Sequence, residues 1–313
     1  MDTPTQGPRL LLTHPLALGL LAVLMFAMTI PMTRLAGGDA AMPQIPPLVV
    51  ALGRGALAAV PAALYLAWVR APLPRRHEWP WLLGVVVGGP VVFPVCMGWA
   101  VHRVPAGHAA VVTGVLPLLT ATLASWWMGQ RAPWGFWLAG GVGIALVLGF
   151  VTVSHGASTS LWQAQGADAV LLLGMLGAAV AYVAGARATR QRPAAQVMSW
   201  ALVLALPLTA SGTLWVIAVD PVAAWAPHVG VPAWWALAYV ALCSSWLGFF
   251  AWYAALARDT LRVSQLQLLQ PFASMAIAAV GLGEHLHAWA PVFAVGVGLA
   301  VWAGQRQLQE TRT

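Results

Sequence analysis

One arginine inside an otherwise apolar stretch offers the clearest chemistry in this chain. Arg54 is the one charged residue of the stretch 47–69. Because an ionised side chain within a bilayer costs at least about 2.5 to 3.5 kcal/mol, it must face protein or water. A guanidinium presents a rigid fork of donors that suits a carboxylate or a phosphate. The functional interpretation is a clamp for an anionic or zwitterionic solute, and the structural alternative is an arginine that snorkels or caps carbonyls.

Three hydrogen-bonding side chains recur at intervals of three residues in a second apolar stretch. They are Ser264, Gln267 and Gln270. On a helix this spacing places them on one face, where uncharged groups can bind a solute and release it without the burial of a charge. The pattern indicates a hydrated cavity. The structural alternative is hydrogen bonding between helices, worth only about 0.6 kcal/mol per bond.

Aromatic residues and a histidine complete the set of candidate solute contacts. Trp99, Trp246 and Tyr253 lie in apolar stretches and could form an aromatic pocket for a partly apolar metabolite. The alternative for each of them is packing against lipid. His108 lies at the start of another apolar stretch, where it could exchange protons near neutral pH or simply occupy the membrane interface.

The acidic residues argue against two kinds of chemistry. All eight of them fall in loops, tails or the ends of apolar stretches, so a proton relay through a carboxylate at the middle of the membrane is not supported. The sequence has no His-Glu-x-x-His motif and no nucleophile beside a base. No catalytic residue, metal ligand or cofactor is therefore predicted. An intramembrane enzyme acting on a lipid-soluble substrate stays open as the alternative class.

The elements that must position these side chains follow from the composition. The chain has 313 residues, of which 60% are hydrophobic and 7% charged, a balance that soluble domains do not reach. About 20 apolar residues span a bilayer core. We therefore expect an all-α polytopic membrane protein with ten transmembrane helices, at 15–32, 47–69, 79–101, 107–127, 133–153, 168–186, 196–219, 232–257, 262–281 and 288–305.

The arginines are distributed unevenly between the two sides that this topology defines. With the N-terminus in the cytoplasm, twelve arginines lie in cytoplasmic segments, and only Arg34 and Arg103 lie outside. This is the positive-inside pattern. We expect both termini to be cytoplasmic, in the inner membrane of a bacterium. The same asymmetry explains the net charge of +7, so membrane lipid is an expected partner and nucleic acid is not.

Two parts of the chain share one pattern of proline, glycine and polar residues. In each part the proline precedes the pair by the same interval: Pro117 with Gly129-Gln130, and Pro271 with Gly283-Glu284. Internal repeats of this kind are typical of secondary transporters. Because each half has five spans, an odd number, the second half begins on the opposite side of the membrane from the first, and the two halves are inverted. We expect a first repeat at 1–153, a linker at 154–167 and a second repeat at 168–313.

The alignment of the two repeats adds further candidates. Thr113 matches Gln267, and Trp99 matches Tyr253, so Thr113 joins the predicted solute contacts. Glu284 is expected to hold the turn into the last span through backbone hydrogen bonds. Prolines within spans remove backbone hydrogen bonds and provide places to bend. The predicted structural or gating prolines are Pro90, Pro94, Pro117 and Pro271.

The second hairpin also resembles a known family. The run from Ser264 to Pro271, followed by Gly283-Glu284, is similar to the EamA repeat of the drug/metabolite transporter superfamily. The segment around Arg54 resembles the arginine-containing second helix of that family. Gln130 departs from the pattern, since the family usually has Glu there. The resemblance implies a ten-helix transporter with a central cavity between helix bundles, which moves small metabolites, often out of the cell.

Residues and resemblance together predict a secondary transporter. We expect alternating access, with small-molecule substrates such as amino acids or related amphipathic solutes, and export as the direction. The identity of the solute does not follow from the sequence. Monomer and homodimer both stay open as oligomeric states.

Overall fold

The computed structural model describes residues 14–38, 42–101, 115–155, 165–282 and 288–310. This part of the chain is nearly all helical and contains no strand, only an isolated bridge between Gly38 and Pro43. The helices form ten rods: α1 (Pro15–Gly37), α2 (Pro47–Trp68), α3 (79–101), α4 (Leu116–Met128), α5 (Trp134–His155), α6 (Gln165–Thr189), α7 (Ala194–Val219), α8 (Val231–Arg258), α9 (260–282) and α10 (Ala290–Glu310).

Each rod overlaps one of the predicted spans. Within the described residues, six of them are long and apolar enough to cross a membrane: α1, α2, α3, α6, α7 and α8. The rod α5 contains a shorter apolar segment, Trp134–Phe150. The fourth predicted span, 107–127, begins outside the described residues, and its described part is α4. Gly129 ends α4 with φ of 65°, a left-handed conformation that glycine adopts at helix ends.

Four rods are interrupted, and proline accounts for two of the interruptions. A π-helical segment, Val87–Val92, lies within α3 and contains Pro90, which lacks the N–H that a regular helix needs. A turn of 3-10 helix, Leu266–Leu269, comes just before Pro271 in α9. Both prolines were predicted as bending points.

The other two interruptions have no proline within them. The rod α1 breaks at Met28, and α8 contains a second π-helical segment, Val240–Leu247. Pro117 lies in the first turn of the described α4, and Pro94 follows the π-helical segment of α3. Pro117 does not interrupt its helical segment, because a proline in a first turn costs no hydrogen bond. Pro94 lies inside the continuous rod α3, so its missing N–H adds to the interruption at the π-helical segment.

The rods pack in pairs around one apolar core. The most extensive packing joins α2 to α7, α5 to α10, α1 to α8 and α3 to α6. Small residues allow the closest approach: a Cβ added at Gly88 of α3 would overlap the backbone carbonyl of Gly177 in α6. Such contacts between small residues are how helices associate in a bilayer, where lipid tails offer no hydrophobic driving force.

Candidate solute site

Arg54 projects from α2 toward the π-helical segment of α8. Its Nε donates to Ser245 Oγ at 2.7 Å, and its Nη2 donates to Ser244 Oγ at 3.1 Å. Ser244 Oγ also shares a hydrogen bond of 2.7 Å with Thr29 Oγ1, at the break in α1. No acidic side chain pairs with Arg54 among the residues that the structure describes. The guanidinium is therefore held by neutral hydroxyls, and no described acidic side chain neutralises its positive charge.

The local sequence explains why Arg54 points this way. Gly53 and Gly55 flank it, and they face α7, where a Cβ added at Gly55 would lie 3.1 Å from the Thr209 methyl carbon. The glycine face therefore packs against α7 and turns the arginine toward α8. The π-helical geometry then presents two successive serines to it. Ser245 Oγ itself donates to the Val240 carbonyl oxygen at 2.9 Å, which fixes its position beside the guanidinium.

A second polar cluster lies between α6, α8 and α9. Gln267 Nε2 donates to Tyr182 OH at 3.0 Å, and both side chains are buried. Gln267 Oε1 and Tyr253 OH are buried and have no hydrogen-bond partner among the described residues. A buried group without a partner costs about 1 to 3 kcal/mol. Both groups therefore keep unused hydrogen-bonding capacity within this cluster.

An aromatic wall follows the serine pair along α8. Trp246 directly follows the serine pair; its ring centroid is 5.2 Å from that of Phe250 and 6.1 Å from that of Tyr65. Its Nε1 donates to Ser199 Oγ at 2.8 Å, so the indole is fixed at its polar edge. One turn further along α8, the ring centroids of Phe249 and Tyr253 lie 5.1 Å apart. The wall therefore extends along α8 from the serine pair to Tyr253 of the second cluster.

Some of the predicted site residues come together and others do not. Arg54 bonds the serine pair, which Trp246 follows directly in α8, while Gln267 and Tyr253 belong to the second cluster. Ser264 is fully buried and donates to the Leu261 carbonyl oxygen of its own helix at 2.9 Å.

Three of the predicted residues lie outside the described part of the chain, and two more are not members of either cluster. Gln270 is half-buried beside Pro271, and Trp99 is 39% exposed near the end of α3. The three outside the described residues are His108, Thr113 and Glu284.

Sequence reasoning missed Tyr182, Ser244 and Ser245. The serine pair was visible as two adjacent hydroxyls in an apolar span. Tyr182 stands among small residues, and Gly185 on the next turn leaves room for the Tyr253 ring, which a Cβ there would overlap. A large polar aromatic residue flanked by small ones is the signal that could have identified this cluster.

A buried ion pair lies outside the membrane-spanning rods. Arg192, between α6 and α7, donates from Nε and Nη2 to the two oxygens of Glu78 at 3.1 and 3.0 Å. Arg192 Nη1 also donates to the Pro72 carbonyl oxygen at 2.8 Å, and Glu78 accepts from the Arg75 backbone N–H at 2.6 Å. The hydrogen bonds from Arg192 are the main reason that the pKa of Glu78 lies below its ordinary value. The pair fastens the α2–α3 loop to the α6–α7 loop.

The described residues contain no group of three histidine, cysteine or acidic side chains that could hold a metal ion. What the fold does present is a bundle of membrane-length helices with polar groups converging inside it. This architecture defines the chain as a polytopic integral membrane protein.

Comparison with known proteins identifies the family. Residues 14–152 match the EamA-like transporter family. The chain is 36% identical over 284 residues to the uncharacterized transporter YdeK of Bacillus subtilis, an alignment that covers 90% of this chain and 92% of that protein. The chain belongs to the EamA-like transporter family, which confirms the resemblance seen in the sequence.

Two further comparisons extend the picture. The chain is 29% identical over 230 residues to a probable terminal-alkyne amino-acid exporter of Streptantibioticus cattleyicolor, covering 71% of this chain and 73% of that protein. One protein of known crystal structure superposes with a TM-score of 0.74 at 18% identity, covering 96% of this chain and 99% of the other. The second similarity establishes the fold alone.

Proposed function

We propose that this protein is a secondary transporter for small amphipathic metabolites that carry a carboxylate, amino acids among them. Membership of a transporter family supports transport, and the similarity to a probable terminal-alkyne amino-acid exporter of Streptantibioticus cattleyicolor supports amino acids as the solute class. Arg54 supports the carboxylate. We further propose that the protein lies in the bacterial inner membrane, with both termini cytoplasmic, and that net transport is outward.

The observation that carries this proposal is the set of partners around Arg54. A structural arginine in a membrane interior usually pairs with an acid or with backbone carbonyls, whereas this one donates to two serine hydroxyls. A hydroxyl can both donate and accept. Ser245 already donates to the Val240 carbonyl oxygen, whereas in the bond between Ser244 and Thr29 either hydroxyl can be the donor. When a carboxylate arrives, Ser244 can therefore turn its proton toward it while the guanidinium supplies the charge. Binding is then strong enough to select an anion and weak enough to release it.

The second cluster suits the other end of such a solute. Gln267 Oε1 is a buried acceptor without a described partner, so it can accept from an ammonium group. The aromatic wall of Trp246 and Phe250 suits an apolar side chain between the two polar ends. The proposed contacts are Arg54, Ser244, Ser245, Tyr182, Gln267 and Trp246.

Alternating access between two inverted five-helix repeats, 1–153 and 168–313, is the proposed mechanism. The packing supports it: if α1 to α5 correspond to α6 to α10, the contact of α1 with α8 is the counterpart of the contact of α6 with α3. The rods α2 and α7 pack against each other, as do α5 and α10, so each lies against its own counterpart. The π-helical segments occupy equivalent places in α3 and α8. Such segments often mark functional positions.

Counterflow in proteoliposomes tests the proposal. Vesicles containing the purified protein are loaded with an unlabelled amino acid, and the uptake of the labelled amino acid is followed. The panel includes a terminal-alkyne amino acid. We expect at least one member to exchange with wild type, and Arg54→Gln to reduce the exchange by more than tenfold at equal folded yield. Two results would contradict the proposal. One is that wild type exchanges no carboxylate-bearing solute, and the other is that Arg54→Gln is as active as wild type.

A further inference from the structure

An open cleft lies at one end of the bundle and shares no residue with the proposed solute site. It has a volume of about 320 Å³ and is lined by Pro80, Trp81, Gly84, Trp127 and Ala184. These residues belong to the first turns of α3, the last turn of α4 and the last two turns of α6. Since helix ends mark the level at which a bundle leaves the hydrocarbon core, the cleft lies at the membrane interface.

The lining of the cleft is apolar and aromatic. The ring centroids of Trp81 and Trp127 lie 6.3 Å apart in an edge-to-face arrangement, and Trp127 is 39% exposed. Gly84 and Ala184 form the floor, where a Cβ on the glycine would lie 2.9 Å from that of the alanine. A small soluble ion would gain nothing from such walls. A glycerol backbone and the upper part of an acyl chain would bury apolar surface against them.

One cation stands over the cleft. The guanidinium carbon of Arg187, in the last turn of α6, lies 5.8 Å from the centroid of the Trp81 ring. Among the described residues Arg187 has no ion pair and no side-chain hydrogen bond. The acidic group of the same face, Glu78, already pairs with Arg192. The guanidinium N–H groups of Arg187 can therefore donate to a phosphate, and they lie at the depth of the phosphates of a bilayer.

We propose that this cleft is a specific site for an anionic phospholipid. The phosphate binds Arg187, and the glycerol backbone and one acyl chain lie against Trp81 and Trp127. The charge of the surrounding face favours an anionic lipid over a zwitterionic one, because Arg75, Arg76, Arg131 and Arg190 belong to the same end of the bundle. Basic residues at this level attract anionic lipid, and tryptophans prefer this level of the membrane.

The site follows from the cleft and its arginine, so it does not depend on the identity of the transported solute. It also differs from diffuse attraction to a charged surface. Diffuse attraction would treat all arginines of the face alike, whereas a built site depends on the one arginine that lies over the tryptophans.

Native mass spectrometry of the detergent-purified protein tests the proposal. The protein is titrated with phosphatidylglycerol or with phosphatidylcholine of identical acyl chains. We expect wild type to retain phosphatidylglycerol about fivefold more strongly, the ratio that one favourable arginine contact near the surface provides. Arg187→Gln should bring retention down to the phosphatidylcholine level. Trp127→Ala, an exposed position, should lower retention of phosphatidylglycerol without a change of charge.

Arg258→Gln is the matched control. Arg258 also lies in the last turn of a long helix, α8, but it is exposed and donates to the Ala254 carbonyl oxygen. Its removal should leave the lipid ratio unchanged. An equal loss in Arg187→Gln and Arg258→Gln would overturn the proposal, as would equal retention of the two lipids by wild type. Displacement of the lipid by glycerol 3-phosphate would instead assign the site to a soluble phosphate and overturn it as well.

Discussion

Removal of Arg192 should weaken the fold sharply at neutral pH. Arg192→Gln deletes both hydrogen bonds to Glu78 and the bond to the Pro72 carbonyl oxygen. It leaves a buried carboxylate with only the Arg75 backbone N–H as donor. Breaking one side of a buried ion pair costs about 3 to 5 kcal/mol. Because this pair lies near the end of the bundle, where water is close, we expect the lower figure.

A loss of about 3 kcal/mol corresponds to a fall in Tm of about 6 to 12 °C for a protein of this size. Heating in detergent followed by size-exclusion chromatography of the protein that stays folded measures that Tm. Arg190→Gln is the control, since Arg190 is exposed in the same loop, and its removal should change stability by less than about 0.5 kcal/mol. Once Glu78→Gln is present, Arg192→Gln should cost much less, because the two side chains share one interaction.

The direction of the pH dependence follows from Glu78. Its pKa in the folded protein lies below the ordinary value of 4.5, so the pair stabilises the fold fully above that pH. The stabilisation is lost as the pH falls through the lower, folded-state pKa. The difference in Tm between wild type and Arg192→Gln should therefore shrink from pH 7 to about pH 3. A difference that stays constant over this range, or an equal fall in Arg190→Gln, would refute the reasoning.

Three further substitutions should change the free energy of unfolding in a direction that the packing predicts. Gly185→Ala should lower the free energy of unfolding by about 1 to 3 kcal/mol, because the new methyl group overlaps the Tyr253 ring. Gly141→Ala should raise it by about 0.5 to 1 kcal/mol, since nothing lies within 4 Å of a Cβ there. The same melting assay checks both, and a shift of Tm in the same direction for the two variants would contradict the packing described. Tyr182→Phe removes the acceptor for Gln267 Nε2 and should cost about 1 to 3 kcal/mol. A Tm equal to that of wild type would show that the bond is absent.

The helices were predictable because a bilayer imposes length and apolarity on each span. The predicted boundaries of α2 and α7, for example, fall within two residues of those observed. Arg54 was predictable for the same reason, as a charge where none is expected. Its partners were not, because Ser244 and Ser245 lie about 190 residues away in the chain, and a periodic pattern carries no information about such pairings.

The polar face of α9 shows a second limit of sequence reasoning. The prediction that Ser264, Gln267 and Gln270 share one face assumes a regular α-helix throughout the span. The turn Leu266–Leu269 is instead 3-10 helix. Gln265 falls off that predicted face, yet it is fully buried, and a Cβ at Gly304 of α10 would lie 2.6 Å from its Oε1. Glycines on a neighbouring helix make room for this amide. Such compensation between helices can be recognised only once the helices are placed side by side.

The most direct test of the proposed carboxylate site compares an acid with its amide. An amino acid that supports counterflow is paired with its carboxamide, which has the same shape without the negative charge, and binding of both is measured by protection of wild type and Arg54→Gln against thermal unfolding. We expect wild type to bind the acid more tightly by about tenfold or more, in line with about 1.5 to 3 kcal/mol for a hydrogen bond to a charged group. Arg54→Gln should bind both molecules with similar, weak affinity. If Arg54→Gln retains the full preference for the acid, the carboxylate binds elsewhere and the account is wrong.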